Sequence, residues 1–412
     1  MSSDGPLASP ETRSTGEAIR FMMDLGKALH VCGTPAHRIE EAMTGCAQRL
    51  GLDIQVFSTP TSLWAGFGPI ERQRVRLVRI DPAAVNLGLL SDVDEVASKV
   101  VRGELPLGGG TQRLETILSR GWEYPSGLTV ASGALASAVA ARLFGGGLPE
   151  VLAGAVIGLV VGVFSVIAGR HRHLMRIIEF ACGAFAAALA LALTTVLPSM
   201  STYTATVAGL IVLMPGLTLT LAMNELATRH LVSGTTRLMY ALMIFFSIGF
   251  GVAFGRQFER VVPDPGTGVV ESLPLWTEWV ALACAGLAYT VLFKARPLHL
   301  PVICGAVLVG FGASRLASVT LGPEIGVCVG AFVVGAGGNL YSRLTDRPGA
   351  IVHLPGLMVL VPGSIGFKSL DALLDQQVVS GVGTAFQMVM VGAALVAGLL
   401  LANVAVTPRK AT

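Results

Sequence analysis

Two proline–glycine pairs, Pro215-Gly216 and Pro362-Gly363, each lie near the middle of a long apolar run. Proline inside a helix lacks the N–H that closes a turn and clashes with the carbonyl four residues back. The glycine after it lets the chain bend. A helix broken at that depth frees carbonyls and amides that lipid cannot satisfy, so protein, water or a ligand must meet them. Such groups offer both donors and acceptors, which a small zwitterion needs. Thr218, Thr220 and Ser364 follow the breaks closely, where a hydroxyl could meet a substrate hydroxyl. Replacing either pair by alanine is expected to restore a continuous, equally or more stable helix and to abolish function. A plain packing kink is the competing explanation. Pro355-Gly356 predicts a second break in the later run.

Ionisable and strongly polar side chains within apolar runs are costly and so are functional candidates. Glu179 stands one turn past Arg176 and reads either as a proton carrier or as one half of a salt bridge. Asn224 and Glu225 end the fourth run and Asp371 follows the ninth; these read as gating or proton-coupling residues, or as helix caps. Glu278 and Glu324 read as interfacial. Asn339 lies beside Gly337-Gly338 and is expected deep in its span, as a hydrogen-bonding ligand.

The elements that must position these residues follow from composition. Of 412 residues, 52% are apolar and 13% charged, about half the charge of a soluble domain. Residues 1–126 carry 13 basic and 15 acidic side chains, whereas the remaining chain carries 16 and 11. A polar domain is therefore followed by a membrane region. The small net charge of +3 does not favour nucleic acid. A bilayer core needs about 20 apolar residues as helix, and ten segments qualify: Gly127–Phe144, Pro149–Ala168, Met175–Leu197, Tyr203–Met223, Leu238–Gly255, Leu275–Phe293, Leu298–Ala313, Ile325–Tyr341, Ala350–Phe367 and Val378–Val404. The seventh is the shortest. With both termini inside, 24 basic residues fall on the cytoplasmic side and 5 outside. Ile211-Val-Leu-Met-Pro-Gly216 and Met358-Val-Leu-Val-Pro-Gly363 stand 147 residues apart, and so do Gly183-Ala-Phe185 and Gly330-Ala-Phe332. Each half has five spans, an odd number, so the second half enters from the opposite side. Inverted repeats of this kind are a recurrent architecture of secondary transporters, with substrate at broken helices near the midplane.

The expected organisation is a disordered tail over 1–14, a small cytoplasmic α/β domain over 15–126, a five-helix repeat over 127–256, an external loop over 257–274, a second five-helix repeat over 275–404 and a cytoplasmic tail over 405–412. The start, rich in Ser, Pro and Gly, has no apolar run of signal-peptide type. In the N-terminal domain, 15–31 and 83–102 read as helices, Thr34-Pro35 as an N-cap and first helical residue, and 53–57, 62–67 and 74–80 as strands. Ser58, His37 and Glu40 could be imagined as a hydrolase triad, but no Gly-x-Ser-x-Gly surrounds a serine there, so no catalytic residue is assigned. Gly108-Gly-Gly-Thr111 lacks the ending of a phosphate loop and reads as a flexible turn. His171 and His173 sit in a basic loop suited to anionic lipid. The six cysteines show neither metal nor redox spacing, and no metal or cofactor is expected.

The stretch Gly33-Thr-Pro-Ala-His37-Arg-Ile-Glu40-Glu-Ala-Met43, with Leu50-Gly-Leu52 and Val56-Phe-Ser-Thr-Pro-Thr61, resembles the threonine/serine exporter family. So does the order of a soluble domain and two sets of five spans, each with a Pro-Gly in its fourth. The resemblance covers residues 15–405 and implies a multi-pass exporter in the bacterial inner membrane. It implies threonine and serine as substrates and the proton gradient or membrane potential as the drive. A related split form is linked to dicarboxylate export. The spans offer an anion almost no fixed positive charge, which favours the zwitterion over a succinate-like substrate. A membrane-anchored hydrolase or a sensor is the remote alternative. The implied partners are the substrate, protons and the lipid bilayer, with a homo-oligomer left open.

Overall fold

The computed structural model describes residues 10–81, 83–171, 173–197, 199–260 and 273–408. Most of the expected tail over 1–14, most of the loop 257–274, the terminal 409–412 and the basic residues Arg172, Arg409 and Lys410 lie outside the described residues. Helix α1, Pro10–Val31, begins inside the stretch read as a tail.

Residues 10–120 form four helices and a small sheet. After α1 come α2 (Ala36–Arg49), β1 (Ile54–Thr59), β2 (Ser62–Phe67), β3 (Arg74–Arg79), α3 (Leu87–Val101) and α4 (Leu107–Arg120). The strands make an antiparallel meander in which Leu63 sits between Ser58 and Val78, and Trp64 between Phe57 and Leu77. Strand alternation sends Leu63, Ala65 and Phe67 inward, where they share a core with Phe21, Met22 and Leu25 of α1 and Ile39 and Met43 of α2. Two local expectations are corrected. Thr34 is not the N-cap of α2: Pro35 holds that place with extended torsions, φ −63° and ψ 151°, and the helix starts at Ala36. Gly108–Thr111 is not a flexible turn but the first turn of α4, because Gly110 must lie against Phe21 and Val100.

The rest of the chain is helical and apolar. Its helices are α5 (Ser126–Leu143), α6 (Leu148–Ala168), α7 (Ile178–Leu193), α8 (Thr202–Gly209), α9 (Gly216–Ala227), α10 (Leu231–Arg256), α11 (Trp276–Leu292), α12 (Leu300–Leu321), α13 (Pro323–Thr345), α14 (Ala350–Met358), α15 (Gly363–Leu374) and α16 (Val378–Ala405). Among the described residues, 7 segments are long and apolar enough to cross a membrane, and α7 and α11 are shorter apolar helices. The protein is a polytopic helical membrane protein. The apolar run at 203–223 divides into α8 and α9, neither long enough to cross alone. The seventh run is not the shortest. Its helix α12 continues through the polar Ser314 and Arg315 to Leu321 and stops at Gly322, whose φ of 92° ends it. Nor does Pro355 break its run, since α14 passes through it.

The two halves share part of their packing. α7 lies on α10 and α13 on α16, while α9 contacts α10 and α16 and α15 contacts the same two. Gly251 lets α10 reach the carbonyl of Phe180, and Gly398 lets α16 reach that of Cys328. These two glycines also stand 147 residues apart.

Candidate functional site

The two Pro-Gly pairs meet. α8 ends at Gly209 and α9 starts at Gly216; α14 ends at Met358 and α15 starts at Gly363. Pro215 caps α9 with φ −80° and ψ 37°, and Pro362 caps α15 with φ −81° and ψ 24°. A methyl placed on Gly216 would lie 3.3 Å from both the Cα and the N of Gly363. The two helix starts therefore touch backbone to backbone. The first N–H groups of a helix have no partner within it and carry the positive end of its dipole, so the crossing gathers two sets of donors.

Around the crossing, Thr218 and Ser364 are half-buried in the first turns of α9 and α15. Thr220 is buried, and its hydroxyl donates to the Gly216 carbonyl at 3.0 Å. That leaves it only acceptor capacity. The close backbone contact works against the expectation that alanine at these pairs would stabilise the helix, because a methyl on Gly216 would lie 3.3 Å from the Gly363 backbone, which must shift to admit it.

Asn224 and Glu225, two turns along α9, face the N-terminal unit. The buried Glu225 carboxylate accepts from Ser233 Oγ at 2.9 Å, from Arg237 Nε at 3.0 Å and from the backbone N–H of Ala36 at 3.0 Å. The last bond matters most: a bundle carboxylate caps α2 in place of Thr34, at the helix end where negative charge is favoured. His230 Nε2 lies 3.2 Å from Glu40 Oε2, and Glu40 Oε1 accepts from the Ser58 N–H at 2.8 Å. Asn224 Nδ2 lies 3.3 Å from His37 Nε2. The imagined triad does not form, for Ser58 Oγ pairs with His30 Nε2 at 2.9 Å. Burial, with help from Arg237, pushes His30 down to about 4; burial, with Arg38, His230 and Arg237, pushes His37 down to about 3. Both are neutral near pH 7. The unit is further tied down by Arg296 to Asp92 at 2.5 Å and by the Leu87 N–H to the Phe293 carbonyl at 2.9 Å.

Between these parts lies a cavity of about 190 Å3. Thr34, His37 and Ala42 line it from the N-terminal unit, Leu221 and Asn224 from α9, and Leu354 and His353 from α14. Thr34 Oγ1 and His37 Nδ1 are buried and bond to nothing among the described residues. Asn339, buried and six residues before the end of α13, also lines this cavity. Its amide donates to Asn403 Oδ1 at 2.9 Å and to the Val406 carbonyl at 2.7 Å. In the sequence His37 stands out only as a member of an imagined triad, and His353 is not singled out. His353 carried a signal, being a titratable residue inside an apolar run; Thr34 was read only as a cap.

The other candidates sit apart. Asp371 pairs with Arg256 at 2.6 Å, and Arg256 also reaches Asp375 at 3.3 Å. Glu278 lies 3.7 Å from each of Arg142 and Arg315. Glu179 is half-buried in the first turn of α7 and makes no ion pair with Arg176 or any other described residue. Pro215, Gly216, Pro362 and Gly363 thus form one locus, Asn224, Glu225 and Asn339 a second, and Asp371 and Glu179 two more.

Comparison with known proteins agrees with the layout. The chain is similar to Pheromone-regulated membrane protein 10 of Eremothecium gossypii, 29% identical over 362 residues covering 85% of this chain and 48% of that protein. The protein of that name in Kluyveromyces lactis is 29% identical over 363 residues, covering 85% and 38%, and that of Saccharomyces cerevisiae 27% over 369, covering 86% and 47%. The chain thus spans less than half the length of these curated relatives. No solved structure matches it. Residues 20–258 match the family described as putative threonine/serine exporter, and residues 277–405 match threonine/serine exporter, ThrE. The chain belongs to the threonine/serine exporter family.

Proposed function

We propose that this protein exports small polar amino acids, threonine and serine first, by alternating access of two inverted five-helix repeats in a ten-span bundle. The observation that carries the reading is the contact between Gly216 and Gly363, which sets two equivalent broken helices face to face. Supporting it, the offset of 147 residues relates the breaks, the Gly-Ala-Phe runs and the packing glycines Gly251 and Gly398. Substrate sites at such breaks are the rule in inverted-repeat transporters. The donors of two helix starts suit the carboxylate, freed carbonyls suit the ammonium, and Thr218 and Ser364 suit the hydroxyl.

The N-terminal unit rests against residues 225–237, where α9 passes into α10, and 293–296, segments that the positive-inside rule puts in the cytoplasm with it. This supports an inner membrane orientation with both termini inside, and a cytoplasmic domain that guards the inner mouth. The drive is the proton gradient or membrane potential. Glu225 and Asp371 are each clamped by an arginine and serve as gates, which leaves Glu179 as the proton carrier. Purified protein in liposomes, loaded with labelled threonine, serine or succinate, tests the reading by counterflow. Threonine and serine should exchange and succinate should not. Exchange of succinate alone would overturn the substrate assignment in favour of a dicarboxylate exporter.

A further inference from the structure

We propose that the cavity between α2 and α9 is a second amino-acid site, where the zwitterion bridges the N-terminal unit and the bundle before it reaches the crossing. The inference rests on the exporter reading and adds a loading site to it. Leu221 and Asn224 stand five and eight residues past Gly216 on the same helix, so a ligand beside them is about 8–12 Å from the crossing along α9. The size fits. A cavity of about 150 Å3 takes benzene, so the 190 Å3 here takes a molecule of about eight heavy atoms, as threonine has.

The chemistry fits as well. His37 Nε2 faces the donor Asn224 Nδ2 and is therefore the acceptor of the ring, which leaves the proton of the neutral imidazole on Nδ1. Nδ1–H and the Thr34 hydroxyl are two buried donors on either side of the start of α2, each without a partner among the described residues. A buried donor left unpaired costs free energy, and a carboxylate answers both at once. Leu354 and Leu357 offer apolar contact for a methyl, and Asp94 of α3 also lines the wall. Occupancy would be felt at the joint itself, since Glu225, next to Asn224, caps α2.

Equilibrium dialysis of labelled threonine against the full-length protein in detergent tests this. Ala42→Phe, which fills the cavity, should weaken binding more than tenfold. Thr34→Val, close to isosteric, should weaken it about threefold to tenfold, the worth of one hydrogen bond. Gly337→Ala, which meets nothing within 4 Å and lines neither site, should keep wild-type binding. Thr34→Val keeps the test open should Ala42→Phe fail to fold. Wild-type binding in both cavity variants would overturn the second site and leave the exporter reading standing. No binding of threonine or serine by the unsubstituted protein would overturn both.

Discussion

Alanine at Gly216 is the sharpest structural test of the crossing. Its methyl would lie 2.9 Å from Val361 Cγ2 and 3.3 Å from the Cα and N of Gly363, whereas carbon pairs settle near 3.5–4.0 Å. Val361 can rotate, but the Gly363 backbone cannot retreat without moving α15. Overpacking of this kind costs about 1–3 kcal/mol, and the helix preference of alanine returns at most about 1 kcal/mol. The net loss is therefore about 0–3 kcal/mol, centred on about 1.5 kcal/mol. At Gly363 the nearest atoms are at 3.3, 3.5 and 3.6 Å, so the loss there should be smaller, about 0–1 kcal/mol. Gly337 of α13 meets nothing within 4 Å, and alanine there should be neutral or stabilising. Thermal unfolding in one detergent should therefore rank Gly337→Ala at or above wild type, then Gly363→Ala, then Gly216→Ala. A Gly216→Ala protein as stable as wild type would refute the backbone contact, and with it the claim that the two breaks form one locus.

Other consequences can be checked independently. Glu225→Ala strips the cap of α2 and leaves Arg237 half-buried and unpaired; a loss of about 3–5 kcal/mol and faster proteolysis of the N-terminal unit are expected, with Glu225→Gln milder. Burial holds His30 and His37 at about 4 and about 3 when folded, against about 6.5 unfolded. The unfolded chain therefore takes up protons first as pH falls. Stability should be flat above about pH 7 and should fall between about 6.5 and 4 by up to about 1.4 kcal/mol per pH unit for each histidine. His30→Asn should roughly halve that slope in Tm measured against pH, and an unchanged slope would remove His30 from the account. In a background without native cysteines, Ser380→Cys should react with an impermeant maleimide from outside and Thr345→Cys should not; the reverse pattern would invert the topology.

Hydrophobic runs and their punctuation made the helices legible. The breaks were readable because proline and glycine act through the backbone, which a sequence reports directly, and the repeat was readable because it kept one offset. What lay beyond reach was long-range. Thr34 before Pro35 has the local signature of a cap, yet the cap comes from Glu225, 189 positions from Ala36. Ser314 and Arg315 looked like a helix end because they interrupt an apolar run, but Arg315 turns to Glu278 and the helix continues. The alanine expectation weighed local propensity alone, while the cost at Gly216 is set by a residue 147 positions away.

Alternating access requires the crossing to move during transport. A Cβ on Gly363 would lie 3.6 Å from that of Met214, within the span of about 3.5–4.5 Å that a disulfide bridges. The double substitution Met214→Cys with Gly363→Cys, reconstituted in liposomes and oxidised, should stop threonine counterflow. Reductant should restore it, and oxidised wild type should be unaffected. A fully cross-linked protein that still exchanges threonine at the rate of its reduced form would contradict the central claim.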